Sequence, residues 1–175
     1  MKLTNHEEYG LRCLLRLAEQ GSGASLTIPE LSGTEGVSEA YAAKLLRILR
    51  QAGFIKATRG KAGGYTLARP ADEIVVADVL AALGGPLFQD DFCSSHAGDR
   101  SVCARSPDCS LRSLWRTVQD AVDLVLSRTT LASLIHGERS SAPWTPLPAG
   151  FGIPAGQAGN GGTAPFWREH AARNR

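Results

Sequence analysis

The sequence predicts a mainly α fold with a small β wing and one long C-terminal helix. Three observations predict it. Segments with helical spacing and their own start and stop signals fill residues 3–52. Two short β-type runs flank a glycine-rich basic loop within residues 54–68. From Leu111 an apolar stripe runs at helical spacing for about 20 residues.

Residues 3–20 carry Leu11, Leu14, Leu15 and Ala18 at i, i+3, i+4 and i+7, which is one face of a helix. Gly21 and Gly23 stop it. Cys13 falls opposite that face, roughly 200° from Leu11 at ~3.6 residues per turn, and reads as a packing or interface thiol. In Thr27-Ile-Pro-Glu30, Thr27 suits a helix cap, Pro29 the first turn and Glu30 the return position of a capping box. This second helix is short and ends by Gly36. Ser38 caps a third helix over 39–52, with Tyr41, Leu45, Ile48 and Leu49 on its apolar face and Gly53 at its end. Phe54–Thr58 and Tyr65–Ala68 read as strands around Arg59-Gly-Lys-Ala-Gly-Gly64.

A helix over 74–83 stops at Gly84-Gly85-Pro86. Residues 87–109 lack periodicity and hold three of the four cysteines. Beyond them Leu111, Trp115, Val118, Val122 and Val125 alternate steps of four and three, close to a heptad seam. Leu114, Ala121 and Leu124 widen it. So broad an apolar face asks for a partner, and a second copy of the same helix is the natural one. The chain therefore divides into residues 1–86, a cysteine loop at 87–109, a dimerisation helix at 110–137 and a tail at 138–175. From Ser140 onward six Gly and five Pro interrupt any period, so the tail reads as disordered.

Composition narrows the function classes. The formal net charge is only +2, but residues 1–69 hold ten Lys/Arg against six Glu and no Asp. That local excess points to a polyanionic partner. No stretch reaches the roughly 18 apolar residues of a membrane span. Asn5, His6, Glu7 and Glu8 break any apolar core of a leader peptide. The expected location is the cytoplasm, where structural disulfides are disfavoured. No phosphate loop, nucleophile elbow or clustered acid–base pair marks an enzyme.

Helix, helix, strand, basic loop and strand together make a winged helix-turn-helix. Such a fold sets the N-terminal residues of its recognition helix against base edges in the major groove of double-stranded DNA. Here those are Ser38, Glu39, Ala40, Tyr41 and Lys44. Ser38 can donate or accept, Glu39 can accept from cytosine N4, and Ala40 permits close approach. Lys44, Arg47 and Arg50 recur at three-residue steps suited to phosphates. In the loop, Arg59 and Lys61 flank Gly60, and Arg59 suits a narrow minor groove.

Met1-Lys-Leu-Thr4, Tyr9, Arg59-Gly60, Gly63-Gly64-Tyr65, Leu67 and Arg69-Pro70, with the helix-turn-helix between them, resemble the Rrf-two family of bacterial transcription regulators. The resemblance spans about residues 1–137 and leaves the tail unmatched. It implies a homodimer joined through the long helix, with one winged helix on each half of a palindromic promoter site. It also implies a metal cluster near the dimer interface that controls DNA binding.

Cys93, Cys103 and Cys109 are separated by nine and five residues. Thiolates at this spacing can converge on one soft metal centre. Cluster-binding members of the family carry three cysteines just before the long helix, which implies an iron–sulfur cluster, 2Fe–2S or 4Fe–4S. The first gap is longer than usual in the family, and extra loop costs little to close. One branch of the family takes its fourth ligand from a His three residues after the last cysteine; Arg112 stands there. Another takes a carboxylate from the first helix of the partner subunit, and Glu8 is at the matching position. Glu7, His6 and, in the loop itself, His96 are the other options. Two further readings remain. A closed structural zinc site could form from the three cysteines and His96, giving a zinc-stabilised module that binds DNA or protein constitutively. A metal-free thiol switch is the other.

Overall fold

The computed structural model describes residues 3–21, 24–58, 60, 63–85, 103 and 109–137. Helix α1 spans Asn5–Glu19 and opens on a capping box. The Glu7 backbone N–H donates to Thr4 Oγ1 at 3.4 Å, and the Glu7 carboxylate accepts from the Thr4 N–H at 2.6 Å. Helix α2, Ile28–Glu35, opens on the expected Thr27–Glu30 box and closes on Gly36. The φ of +67° at Gly36 lies in the left-handed region that favours glycine. Helix α3, Glu39–Gln51, is capped by Ser38, whose Oγ accepts from the Tyr41 N–H at 3.2 Å.

Strands β1 (Ile55–Thr58) and β2 (Gly64–Leu67) pair antiparallel, with Ile55 opposite Leu67 and Thr58 opposite Gly64. A further rung was not legible in the sequence. Leu26, in the α1–α2 connection, exchanges backbone hydrogen bonds of 3.0 and 2.8 Å with Tyr65. A 3-10 turn at Ala71–Glu73 leads into α4, Val76–Leu83. Helix α5 covers Ser110–Ser127 and α6 covers Leu131–Gly137.

The core lies where α1, α2, α3 and α4 meet. Leu14, Leu17, Leu31, Leu45, Leu46, Leu49, Ile74, Val79 and Leu131 are buried there together with Cys13. Each such aliphatic side chain contributes about 1.5–3 kcal/mol relative to exposure. The inward face of α1 is rotated from the expected one. Gly10, Cys13, Leu14 and Leu17 are buried, while Leu11, Leu15 and Ala18 are only partly so. Cys13 is therefore a core thiol and not the opposite side of the helix. Burial pushes it up to about 11, with the Glu35 carboxylate adding to the effect.

The dimerisation helix expected over 110–137 is two helices. The break at Arg128–Thr130 has a backbone cause: the Val76 N–H donates to the Thr129 carbonyl at 2.8 Å, and Thr130 bridges Val75. Thr130 then caps α6, its Oγ1 accepting from the Ser133 N–H at 3.2 Å.

Helix α5 is partly buried along Val118 and residues 121–126. Gln119 is its one buried residue, and its Nε2 donates to Asp123 Oδ1 at 2.7 Å. Leu111, Leu114 and Trp115 remain 51%, 44% and 38% exposed. They lie on the stripe that continues through Val118, Val122 and Val125.

Candidate nucleic-acid interface and metal segment

The recognition helix divides by exposure. Ala42, Leu45, Leu46 and Leu49 are buried against α1, α2 and α4, whereas Ser38, Glu39, Ala40, Lys44, Arg47 and Arg50 are exposed. Within the exposed set Ser38 is already engaged as a cap through its Oγ. Tyr41 departs from it. Its ring packs edge-on against His6 and Tyr9 of α1, and its hydroxyl is buried.

Two arginines fix α1 to the end of α2, just before the turn into α3. Glu35 is buried, and its carboxylate accepts from Arg12 Nε at 2.6 Å and from Arg16 Nε at 2.9 Å. Arg16 also reaches Glu19 at 3.1 Å. Nothing in the sequence spacing flagged Glu35, because its partners lie 23 and 19 residues away.

In the wing, Lys56, Ala57 and Thr58 are exposed along β1. Gly60 has φ +118°, and its carbonyl accepts from the Gly63 N–H at 2.8 Å. A side chain at Gly63 would come within 2.7 Å of the Thr58 and Gly60 carbonyl oxygens, so position 63 has room only for glycine. Arg59 and Lys61 lie outside the described residues.

Of the cysteine segment, Cys103 and Cys109 are described; Cys93 and His96 are not. Both described thiols are free and partly exposed. Cys109 is the residue immediately before α5, and its carbonyl accepts from the Arg112 N–H at 3.1 Å. Its thiol makes no capping bond and so remains available to a soft metal. Among the described residues no three His, Cys, Asp or Glu side chains come together as a metal site. On α1 the candidates separate by environment. Glu7 is buried and committed to the Thr4 cap, His6 packs edge-to-face with Tyr41, and Glu8 is exposed. These donors, two free thiols and one exposed carboxylate, have the chemistry and accessibility that ligands of a soft metal centre need.

A helix-turn-helix with a cation-bearing outward face and an adjoining two-stranded wing defines a DNA-binding transcription regulator of the winged-helix class. The family model described as "Rrf2: Iron-dependent Transcriptional regulator" matches residues 3–137. The chain belongs to this family, the Rrf-two family that its motifs resemble.

The protein rrf2 of Nitratidesulfovibrio vulgaris is 37% identical over 139 residues, covering 78% of this chain and 88% of that protein. The regulator CymR of Bacillus subtilis is 31% identical over 144 residues, covering 81% and 96%. Among solved structures, IscR of T. potens superposes with TM-score 0.64 at 28% identity, covering 81% of this chain and 93% of that one. The structure of B. subtilis CymR, described as the global cysteine regulator, superposes with TM-score 0.61 at 29% identity, covering 78% and 98%. The relatives are regulators and not enzymes. None of the described helices is long and apolar enough to cross a membrane.

Proposed function

We propose that this chain is an iron–sulfur-dependent transcription regulator, acting as a cytoplasmic homodimer that represses promoters carrying a palindromic site. The observation that carries the reading is the placement of Cys109. A free thiol stands immediately before α5, the helix whose Leu111, Leu114 and Trp115 are left exposed, with the free thiol of Cys103 six residues earlier. Cys103, Cys109 and Cys93 would hold the cluster, and Glu8 of a second subunit would complete it. When bound, the cluster supplies redox-sensitive chemistry that responds to iron–sulfur supply, nitric oxide or oxidants.

The chain's own residues do the rest. Ser38, Glu39 and Ala40 face the bases, Lys44, Arg47 and Lys61 neutralise phosphates around the recognition helix and wing, and Arg59 enters a narrow minor groove. Leu111, Leu114 and Trp115 join the copies. A second α5 covers them, since they stay exposed on their own domain.

The test is anaerobic purification followed by an absorbance spectrum, metal and sulfide analysis, and sedimentation. A coloured dimer with matched iron and sulfide supports the reading. A colourless protein holding stoichiometric zinc without sulfide overturns it in favour of a structural winged-helix module.

A further inference from the structure

Tyr41 belongs to the first turn of the recognition helix, yet it does not face outward with its neighbours. Its ring centroid lies 5.4 Å from His6 at an interplanar angle of 74°, and 6.1 Å from Tyr9 at 85°. Both are edge-to-face arrangements that aromatic rings favour. The Arg12 guanidinium, already tied to Glu35, sits 5.1 Å over the Tyr9 ring. The Tyr41 hydroxyl is buried with no hydrogen-bond partner. A base-reading tyrosine would hold that hydroxyl toward the groove. Here it is sacrificed to keep the ring between α1 and α3, and a buried orphan donor calls for such an explanation.

The neighbouring face of the same two turns of α1, about 100° round the helix, bears on the end of α4. A methyl group added at Gly84 would overlap the Glu7 carboxylate, and one at Gly10 would overlap the Leu83 side chain. Residues 83–84 are where the chain leaves α4 for the cysteine segment. The first turns of α1 therefore touch the root of that segment on one face and the recognition helix on the other.

We infer that Tyr41 is a positioning residue and not a base reader: wedged between His6 and Tyr9, it seats the recognition helix on α1 and passes movements of α1 to the DNA-reading face. The inference rests on the proposed DNA-bound reading of α3 and deepens it by naming the contact through which α1 controls affinity.

The experiment is a double-variant cycle on the full chain with His6→Ala, Tyr41→Ala, the pair, and Tyr41→Phe. The probe is a duplex selected from a random pool by the wild-type protein, with its single-base variants. Tyr41→Phe is expected to bind as wild type, because the ring carries the contact. Tyr41→Ala should lose affinity evenly across the base variants. The pair should be no weaker than Tyr41→Ala alone, a departure from additivity of about five-fold or more.

A loss confined to one base pair, or additive losses, overturns the inference. Hydrogen exchange of the free protein supplies a second readout that survives any folding defect of Tyr41→Ala. His6→Ala should speed exchange in the first turns of α3, and unchanged exchange counts against the seam. The cycle is run with and without cluster. Equal wild-type affinity in both states would sink cluster control while leaving the positioning role of Tyr41 intact.

Discussion

Arg12 of α1 donates through Nε to the buried carboxylate of Glu35 at 2.6 Å, across 23 residues of sequence. Glu35 keeps a second donor in Arg16. Each arginine is itself largely solvated, so removing one leaves the carboxylate still compensated. Arg12→Ala and Arg16→Ala should each lower the melting temperature by only a few degrees. The double variant should lose more than their sum, because an unpaired carboxylate is then left buried. Thermal melts of the four proteins decide it. Additive losses would mean that Glu35 is not shared.

Cys109 separates folding from metal loading. Its thiol contributes no cap to α5, and serine is a preferred capping residue. Cys109→Ser should keep or slightly raise helicity by circular dichroism while removing most of the visible absorbance and bound iron. Loss of helicity together with colour would instead make Cys109 structural. Chelation of the wild-type protein should reproduce the serine variant's spectrum.

Gly64 lies beside the Leu26–Tyr65 rung. A side chain there would approach the Leu26 carbonyl oxygen to 2.8 Å, and that oxygen accepts from the Tyr65 N–H. Gly64→Ala should cost about 1–3 kcal/mol through forced displacement of backbone. A urea titration should show a lower midpoint at unchanged slope. An unaltered midpoint would show that the α1–α2 connection gives way freely.

Asp123 is held above the usual carboxylate range by burial against its own domain, and the Asp120 charge adds to the shift; the Gln119 hydrogen bond opposes it. A carboxyl raised in the folded state stabilises the fold below its ordinary range. That contribution is lost as pH rises through the raised value. Asp123→Asn keeps an acceptor for Gln119 and removes the charge. The variant should melt higher than wild type near neutral pH and match it in acid. Equal melts at both would show that the carboxylate stays well solvated.

Local signals were legible and long-range ones were not. Thr27, Glu30, Gly36 and Ser38 act within four residues of themselves, so their types alone placed the ends of α2 and α3. The wing was legible because glycine and alternating β-type residues specify a hairpin without reference to the rest of the chain. The inward face of α1 differs from the one its leucines indicate because Gly10 and Cys13 carry little hydrophobic weight. Close packing against Leu83 nevertheless requires a residue without a side chain at Gly10.

The helix break at Arg128–Thr130 had a readable sign in the Thr130–Ser133 capping pair, which a continuous apolar period outweighed. Of the candidate site, the outward face of α3 followed from amphipathic spacing. The same spacing put Tyr41 on the apolar face with Leu45, Ile48 and Leu49, against its other reading as a base contact; which rings of α1 meet it was not legible.

Helix α5 begins one residue after Cys109 and shows Leu111, Leu114 and Trp115 within its first two turns. The free, partly exposed thiol of Cys109 thus stands beside three exposed large apolar side chains. Air oxidation of the Cys109 thiol to a disulfide between two chains would bring two such surfaces together, and contiguous exposed apolar surface promotes aggregation. A preparation left in air should therefore turn cloudy as it ages, and fresh reductant will not clear it once the aggregate has set.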